Sequence, residues 1–394
     1  MRTPEQQQAR LERLLARRPE FRTVGAGDDP RSAIIRRDAL LVPATHAARV
    51  EESVREWTDR RDDLEHLGMA RFTLRRDADV PDLITGSLTP ADGDALASPI
   101  HLFRGEPDYG GGPVGPPSPL ADTPPVPGQA TGRPVHVAIL DTGLATHPWF
   151  PANTWTALGG DVDDRLDADH DYELDSQAGH GTFIGGVVRQ HAPGARLLIG
   201  RVLSSIGVCD EVELLEALHL LGTQSRGHRI DVLNLSLGAY TWDDRPPAGV
   251  AEALKGLGSD AVVVAAAGNN GTDRKFWPAA LDDVVAVGAL AEDGLGRAEF
   301  SNHGPWVDAW AVGEHVPSSF VVFDGPMPPT ANIDPDCFKG FATWSGTSFA
   351  APRVAAALAH RAAERDASPR TVLPGVLEDF SLPASSGLDA VDSR

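Results

Sequence analysis

The chain of 394 residues is poor in cysteine, basic residues and long apolar runs. No apolar run approaches the roughly 20 residues that a membrane-spanning helix needs. Cys209 and Cys337 are the two cysteines, which excludes a disulfide framework. One bridge between them stays possible, but two free thiols are expected in a cytosolic protein. Lysine and arginine total 35 against 56 acidic residues, a net charge of -21, which disfavours nucleic acid as a partner.

The amino terminus also lacks the features of a secretory signal. Its first 18 residues, MRTPEQQQARLERLLARR, are polar and charged and contain no apolar central region. Together with the absence of a membrane-spanning run, this predicts a cytoplasmic protein without membrane partners.

Short apolar strands alternate with helical stretches in the larger, C-terminal part of the chain. The helices are predicted directly after His180 and at about 211–221 and 248–257, and the strands are PVHVAILD, ARLLIGRVL, IDVLNLSL, AVVVAAAG and DVVAVGAL. This alternation predicts an α/β fold with a doubly wound, mostly parallel sheet covered on both faces. In such sheets, functional groups gather at the carboxyl ends of the strands.

The N-terminal part has a different organisation. Residues 33–86 predict a small unit with strand AIIRRDALLVP, a helix from 44 to about 67, and strand MARFTLRR. A stretch rich in proline and glycine follows. We therefore expect an N-terminal region at 1–94, a linker at 95–132 and a large domain at 133–394. The linker is either a passive tether or a segment that is cut or crosses an active site.

Four polar residues stand where the predicted sheet collects functional groups. Asp141 ends a strand, His180 opens an apolar helix, and Asn269 follows the strand AVVVAAAG. Ser348 lies among small residues in WSGTSFAAP, at the start of a helix whose dipole favours a developing oxyanion. Each residue alone is a weak signal, and Asp141 and His180 taken singly are better explained as turn, helix-cap or surface residues. Together they supply the acid, base, nucleophile and amide donor that acyl transfer requires.

These residues lie in segments that resemble the subtilase family, the subtilisin-like serine peptidases. The resemblance covers about 134–363 and rests on AILDTGL, HGTFIGG, NLSLG, AAAGNNG and SGTSFAAP, with FSNHGPWVDAWAVG at 300–313 as further support. It implies that Ser348 attacks the scissile carbonyl, His180 transfers the proton and Asp141 orients the imidazole. Asn269 and the Ser348 amide would form the oxyanion hole.

The resemblance also implies how substrate binds and which cofactors are needed. Ser236, Leu237 and Gly238 would pair with the substrate backbone as an added strand. Ala267 and Gly268 would line the pocket for the residue before the scissile bond, which we expect to be apolar or permissive because Asn270 replaces the acidic residue of many secreted members. The substrate is a protein or peptide, and no cofactor is implied.

The chain departs from the family at several points. Phe183 replaces a second histidine of many subtilases, a change that concerns packing more than chemistry. The calcium-binding loop expected after the HGT helix is missing, so no metal site is predicted there. The acidic stretch at 159–175 is expected to be a solvated surface loop, because it lacks the ligand order of a calcium loop. If it borders the cleft, it would favour basic residues in the substrate. An insertion at 320–341 either covers the cleft or is ordinary surface.

The N-terminal unit resembles the propeptide inhibitor domains of subtilases in position and element order. It is a removed folding chaperone, a retained regulatory domain that acts as an intramolecular inhibitor, or a docking module. The sequence thus predicts an intracellular serine endopeptidase that is regulated or autoprocessed at this region. The alternatives are a catalytically silent scaffold with the same fold, and a serine-carboxyl peptidase with a Glu base, which HGT at 180–182 disfavours.

Overall fold

The computed structural model describes residues 4–25, 32–75, 78–91, 93–105, 115–120, 122–125, 127–128, 132–224, 230–325 and 337–382. The helices are α1 Pro4–Arg17, α2 Ala47–Val54, α3 Val80–Ser87, α4 His180–His191, α5 Glu211–Gln224, α6 Ala248–Lys255, α7 Thr347–Glu364 and α8 Pro369–Asp379. The strands are β1 Phe21–Val24, β2 Ala33–Pro43, β3 Thr58–Leu64, β4 Met69–Leu74, β5 Ser98–Gly105, β6 Ser118–Pro119, β7 His136–Asp141, β8 Trp155–Ala157, β9 Arg196–Arg201, β10 Val208–Asp210, β11 Val232–Leu235, β12 Leu237–Gly238, β13 Val262–Ala266, β14 Val284–Leu290, β15 Ala309–Val312, β16 Val316–Asp324 and β17 Cys337–Trp344.

A parallel sheet with helices on both faces forms the large domain, which confirms the predicted fold class. Its order is β15-β14-β13-β11-β7-β9-β8, and every pairing is parallel. Alternate residues of a strand face opposite sides. In β7, Val137 and Ile139 join the core that contains α4 and α7, whereas Ala138 and Leu140 join the core that contains α5 and α6. The sheet is therefore buried on both sides.

The N-terminal unit is built around an antiparallel sheet. Strand β2 pairs with β1, β4 and β5, and β3 lies at the edge on β4. The helix predicted from 44 to about 67 was wrong beyond Val54, because TDRRDDL forms β3 instead. Charged side chains suit an edge strand, since only one of its sides pairs and solvent stays close.

Strand β5 joins the N-terminal unit to the large domain. It lies inside the range that the sequence assigns to the linker, and its segment SPIHLFRG is almost entirely buried. Besides β2, it pairs antiparallel with β10 and β12, which both come from the large domain. The last residue before the undescribed 106–114 is Gly105.

The predicted insertion contributes a hairpin. Strands β16 and β17 pair antiparallel and β17 pairs with β6, while 326–336 lie outside the described residues. Phe320 and Phe338 of this hairpin are fully buried and pack against each other at 4.6 Å between ring centroids.

The structure bears on two features that the sequence disfavours, a disulfide bridge and a membrane-spanning helix. Cys209 and Cys337 are both free. In the described ranges, no helix combines the length and the apolar character needed to cross a membrane.

Candidate active site

Asp141 and His180 meet at the end of β7 and the start of α4. His180 Nδ1 lies 2.8 Å from Asp141 Oδ1, and the two residues are 0% and 1% exposed. The same carboxylate oxygen accepts a hydrogen bond from the Thr142 amide at 2.8 Å. Because a carboxylate only accepts, Nδ1 carries the proton and Nε2 is the basic nitrogen of the imidazole.

Close backbone contacts fix the approach of the two segments. The Gly181 amide donates to Thr142 Oγ1 at 2.9 Å. A Cβ atom on Gly181 would lie 2.3 Å from the Gly143 carbonyl oxygen, a distance that real Cβ atoms do not adopt. The glycine of HGT is therefore required by packing between the histidine helix and the aspartate turn.

Aromatic side chains surround the imidazole on its inner side. The His180 ring centroid lies 5.6 Å from that of Trp344 and 5.4 Å from that of Phe349. Phe183 packs on Phe349 with a centroid distance of 4.4 Å. Phe183 therefore belongs to a buried aromatic cluster behind His180 and fills space there.

Ser348 is the second residue of α7 and is fully buried. Its hydroxyl donates to the Ser236 carbonyl at 3.2 Å, and the Ser236 hydroxyl donates to the Ser348 carbonyl at 2.8 Å. The N-terminus of α7 places its positive dipole end beside the hydroxyl. This environment stabilises negative charge that develops near Ser348.

Asn269 is held with its amide nitrogen unpaired. Its Oδ1 accepts hydrogen bonds from the Thr347 amide and hydroxyl, both at 2.9 Å. Its buried Nδ2 has no hydrogen-bond partner among the described residues. A buried donor without a partner costs free energy, so Nδ2 is a candidate for binding an acceptor of a ligand.

The predicted substrate-binding strand has a partner within the chain. Leu237 and Gly238 of β12 pair with Gly105 and Arg104 of β5. On its other side, β5 pairs with β10, and the Gly105 amide donates to the Gly207 carbonyl at 2.8 Å. We call the space between β10 and β12 the cleft, and β5 fills it as a third strand.

Ala267 and Gly268 lie between β13 and Asn269, where the sequence places a pocket wall. The Ala267 carbonyl accepts from Asn302 Nδ2 at 2.8 Å. Gly268 has a φ of 98°, and a Cβ there would lie 2.4 Å from the same nitrogen. Asn302 Oδ1 accepts from the Asn270 amide at 3.0 Å.

Sequence reasoning did not assign roles to Asn302, Thr347 or β10. Asn302 belongs to FSNHGPWVDAWAVG and Thr347 to SGTSFAAP, so both were within recognised segments. Their bonds to residues 35 and 78 positions away, Ala267 and Asn269, carry no local signal. Strand β10 is three residues long and has no periodic pattern to identify it.

The acidic stretch at 159–175 contains one group of close carboxylates. Oxygens of Asp167, Asp169 and Asp171 lie within 4.8 Å of one another, and the last two residues are exposed. Asp167 already accepts from the amides of Asp171 and Tyr172, and Asp169 pairs with Arg17 at 2.8 Å. Exposed acidic loops adopt such bonds without an ion.

Comparison with known proteins identifies the family. Residues 132–378 match the model of the subtilase family. An intracellular serine protease of Paenibacillus polymyxa is 33% identical over 258 residues, spanning 61% of this chain and 70% of that protein. The major intracellular serine protease of Bacillus subtilis (strain 168) is 31% identical over 249 residues, spanning 58% and 68%. A cold-adapted subtilisin-like serine proteinase of known structure has a TM-score of 0.50 and 24% identity, covering 68% of this chain and 90% of that one, which supports the fold.

Proposed function

The chain belongs to the subtilase family and is a subtilisin-like serine endopeptidase, and we propose that Ser348, His180 and Asp141 are its catalytic triad. The observation that carries this proposal is the buried 2.8 Å contact between His180 and Asp141, together with the packing of the His180 ring on Phe349, the residue that follows Ser348 at the start of α7. Ser348 Oγ attacks the carbonyl of a protein or peptide substrate while His180 Nε2 takes its proton and later gives it to the leaving amine. Asp141 fixes the tautomer and stabilises the imidazolium.

Asn269 Nδ2 and the Ser348 amide are proposed to bind the oxyanion. The unpaired Nδ2 supports this assignment, because its orientation is set by the two bonds from Thr347 before any substrate arrives. A donor fixed in advance needs no reorganisation when charge develops on the carbonyl oxygen.

The substrate backbone is proposed to bind as a strand between β12, which contains Leu237 and Gly238, and β10. The pairing of β5 with both strands supports this mode, because an extended segment already satisfies both edges. Ser236, Ala267 and Gly268 would line the same cleft near the scissile bond. Main-chain pairing supplies affinity, and the pockets beneath alternate side chains supply selectivity.

The N-terminal unit is proposed to act as an intramolecular inhibitor. Because β5 fills the cleft, a substrate strand cannot pair with β10 and β12 until β5 leaves. Arg36 of β2 also pairs with the buried carboxylate of Asp210 at 2.8 Å, which ties the unit to the cleft rim. The names of two relatives, both intracellular serine proteases, support our proposal that the enzyme acts in the cytoplasm.

A combined kinetic and mass experiment tests the triad. Purified wild type, Ser348→Ala and His180→Ala are assayed on a peptide library, and the intact masses are followed over time. We expect both variants to lose about 10⁴-fold or more in turnover. If the intact mass of wild type shows cleavage in the N-terminal region, Ser348→Ala should stay uncleaved. The control Ser345→Ala removes a hydroxyl that accepts a hydrogen bond from the His315 amide, and it should match wild type. Equal turnover of Ser348→Ala and wild type would support a different nucleophile. No turnover of any chain, even after limited proteolysis has removed the N-terminal unit, would favour the silent scaffold.

A further inference from the structure

A third carboxylate lies buried beside the Asp141–His180 pair. Asp164 belongs to the acidic stretch at 159–175, yet it is 7% exposed, whereas its neighbours Asp163 and Arg165 are exposed. Its Oδ2 accepts a hydrogen bond from the Thr182 hydroxyl at 2.9 Å. An aspartate in a solvated surface loop would not be expected to bury its charge, because burying an ionised carboxylate is costly.

The segment that carries Asp164 packs tightly on the turn that carries Asp141. The Leu144 amide donates to the Val162 carbonyl at 2.8 Å. Gly143 has a φ of 121°, and a Cβ there would lie 2.4 Å from the Val162 oxygen and 3.1 Å from the Asp164 nitrogen. This turn therefore admits only glycine, because the chain at 162–164 occupies the space of a side chain.

Thr182 connects this carboxylate with the helix that carries His180 and with the turn that follows Asp141. It lies two residues after His180, and its Oγ1 donates to Asp164 while accepting from the Ala145 amide at 2.8 Å. The backbone of Gly179 and the Thr142 hydroxyl also interact favourably with the ionised Asp164. Asp164 thus contacts residues that flank Asp141 and residues that flank His180.

We propose that Asp164 is a positioning residue of this active site, whose buried charge holds the Asp141 turn against the His180 helix and favours the imidazolium that forms during catalysis. The proposal rests on the triad proposed above. A negative charge near an imidazole stabilises its protonated form, and the effect is large where water is excluded. Asp164 does not touch substrate, and it acts through the orientation and charge state of His180.

The electrostatics of the site agree with a carboxylate that ionises only above mildly acidic pH. Burial raises the pKa of Asp164 to about 6, and the charge of Asp141 adds to the rise, while contacts with Gly179, Thr182 and Thr142 oppose it. Charged or titratable groups around the site are Asp141 on the turn, His180 on α4, the exposed Asp161, Asp163 and Arg165 on its own loop, and Arg201 of β9, which pairs with Asp161. Asp164 is therefore ionised at pH 8 and neutral at pH 5.

The raised pKa of Asp164 also affects the stability of the fold. This effect distinguishes a role of the Asp164 charge in catalysis from a purely structural role of the side chain. A carboxyl whose folded pKa exceeds its unfolded value destabilises the native state. The cost begins as pH rises above the unfolded pKa, near 3.8, grows until about pH 6 and keeps its full size at higher pH. Replacing Asp164 with the neutral, similarly shaped Asn removes this cost. We expect Asp164→Asn to unfold at the same or a higher temperature than the parent chain at pH 8.

The test is the titration of the His180 imidazole by ¹⁵N NMR in the full chain with Ser348→Ala, which prevents self-cleavage. Adding Asp164→Asn should shift the midpoint to lower pH by about half a unit or more. Adding Asp163→Asn, the exposed neighbour, should leave it unchanged. If the Asn chain does not fold, Asp164→Ser repeats the measurement with a smaller neutral side chain. An unchanged midpoint in a folded Asp164 variant would overturn the proposal.

Activity provides the second readout. With Ser348 present, Asp164→Asn should lower kcat several-fold at pH 8 with little change in KM, and the acid limb of kcat/KM should move to lower pH. Loss of stability with an unmoved acid limb would mean that Asp164 is only structural. If wild type hydrolyses no peptide even after limited proteolysis has removed the N-terminal unit, the proposed function fails, whereas the imidazole titration still decides the role of Asp164.

Discussion

At the scale of single residues, the site depends on donors and acceptors that are fixed before substrate binds. Asn269 illustrates this. Its side-chain oxygen Oδ1 accepts hydrogen bonds from the amide and the hydroxyl of Thr347, while its side-chain nitrogen Nδ2 has no hydrogen-bond partner among the described residues. The stability lost by burying that nitrogen is offset elsewhere in the fold. An unpaired buried donor at a strand end is therefore a sign of a binding function rather than of poor packing.

Removing this donor should affect the transition state more than substrate binding. We expect Asn269→Ala to lower kcat by about 100- to 1000-fold with KM changed little, because the oxyanion forms only during the reaction. Steady-state kinetics on one peptide measure this split. Asn153→Ala, at an exposed turn, serves as the control. A rise in KM without loss of kcat would assign Asn269 to ground-state binding instead.

The sequence could identify candidate catalytic residues because each lies at an element end with a recognisable neighbourhood. Asp141 and His180 are 39 positions apart, but parallel strands and their following helices converge at one sheet edge, which predicts their proximity. Asp164 was assigned to a solvated surface loop instead. Its burial depends on Gly143 accepting the chain at 162–164, and no local pattern in the acidic stretch indicates that contact.

At the scale of elements, helix α7 positions Ser348 by packing small residues against the sheet. Ala351, Ala355 and Ala359 are almost fully buried in the core that also contains α4. Small side chains let the helix approach closely, so its N-terminus reaches the ends of the strands. The alanines of α7 therefore set the depth at which Ser348 lies.

Enlarging one of these alanines should destabilise the fold. We expect Ala355→Leu to reduce the free energy of unfolding by about 1–3 kcal/mol, because the core has no room for the added atoms. Ala357→Leu on the partly buried side of α7 is the matched control and should change it by far less. Urea unfolding of both variants measures the difference. Equal effects would show that α7 is not held by close packing.

The sequence predicted the buried strands of the large sheet correctly, because their residues are apolar. It failed for β3, a charged strand at the edge of the N-terminal sheet. The strands β7, β9, β11, β13 and β14 are predominantly apolar, as expected for a sheet buried on both faces. TDRRDDL has no such signal, and only its pairing with β4 makes it a strand. Likewise, β5 follows directly on a loop and precedes a region rich in proline and glycine, so its membership of the N-terminal sheet depends on distant partners.

At the scale of the whole molecule, one sheet runs across the N-terminal unit and the cleft. Strand β5 connects the two parts of this sheet, and a buried pair reinforces it where His101 Nδ1 lies 3.0 Å from Glu211 Oε2. Phe103 of the same strand is fully buried among apolar residues of the large domain. Under the proposed inhibition, access to Ser348 depends on how firmly β5 is held, and the contacts that hold it come from distant parts of the sequence.

Gly105 offers a way to loosen β5 without touching the proposed catalytic residues. A Cβ on Gly105 would lie 3.1 Å from Leu203 Cδ1, 3.5 Å from Gln177 Oε1 and 3.7 Å from the Gly207 carbonyl oxygen. We therefore expect the two γ-methyl groups of valine to crowd these neighbours and to weaken the pairing of β5 with β10. A Cβ on Gly86 in α3 meets nothing within 4 Å, which makes Gly86→Val the matched control. A change seen in Gly105→Val but not in Gly86→Val therefore comes from β5 and not from a general effect of valine in the N-terminal unit.

The most direct test of this account is the rate at which a fluorophosphonate probe labels the full-length chain, with the labelled residue located by mass spectrometry. We predict labelling at Ser348 that is at least several-fold faster in Gly105→Val than in wild type or Gly86→Val, and no labelling in Ser348→Ala. Labelling of Ser348→Ala at the wild-type rate would contradict the assignment of the nucleophile. Equal rates for Gly105→Val and wild type at Ser348 would contradict the claim that β5 controls access to the cleft.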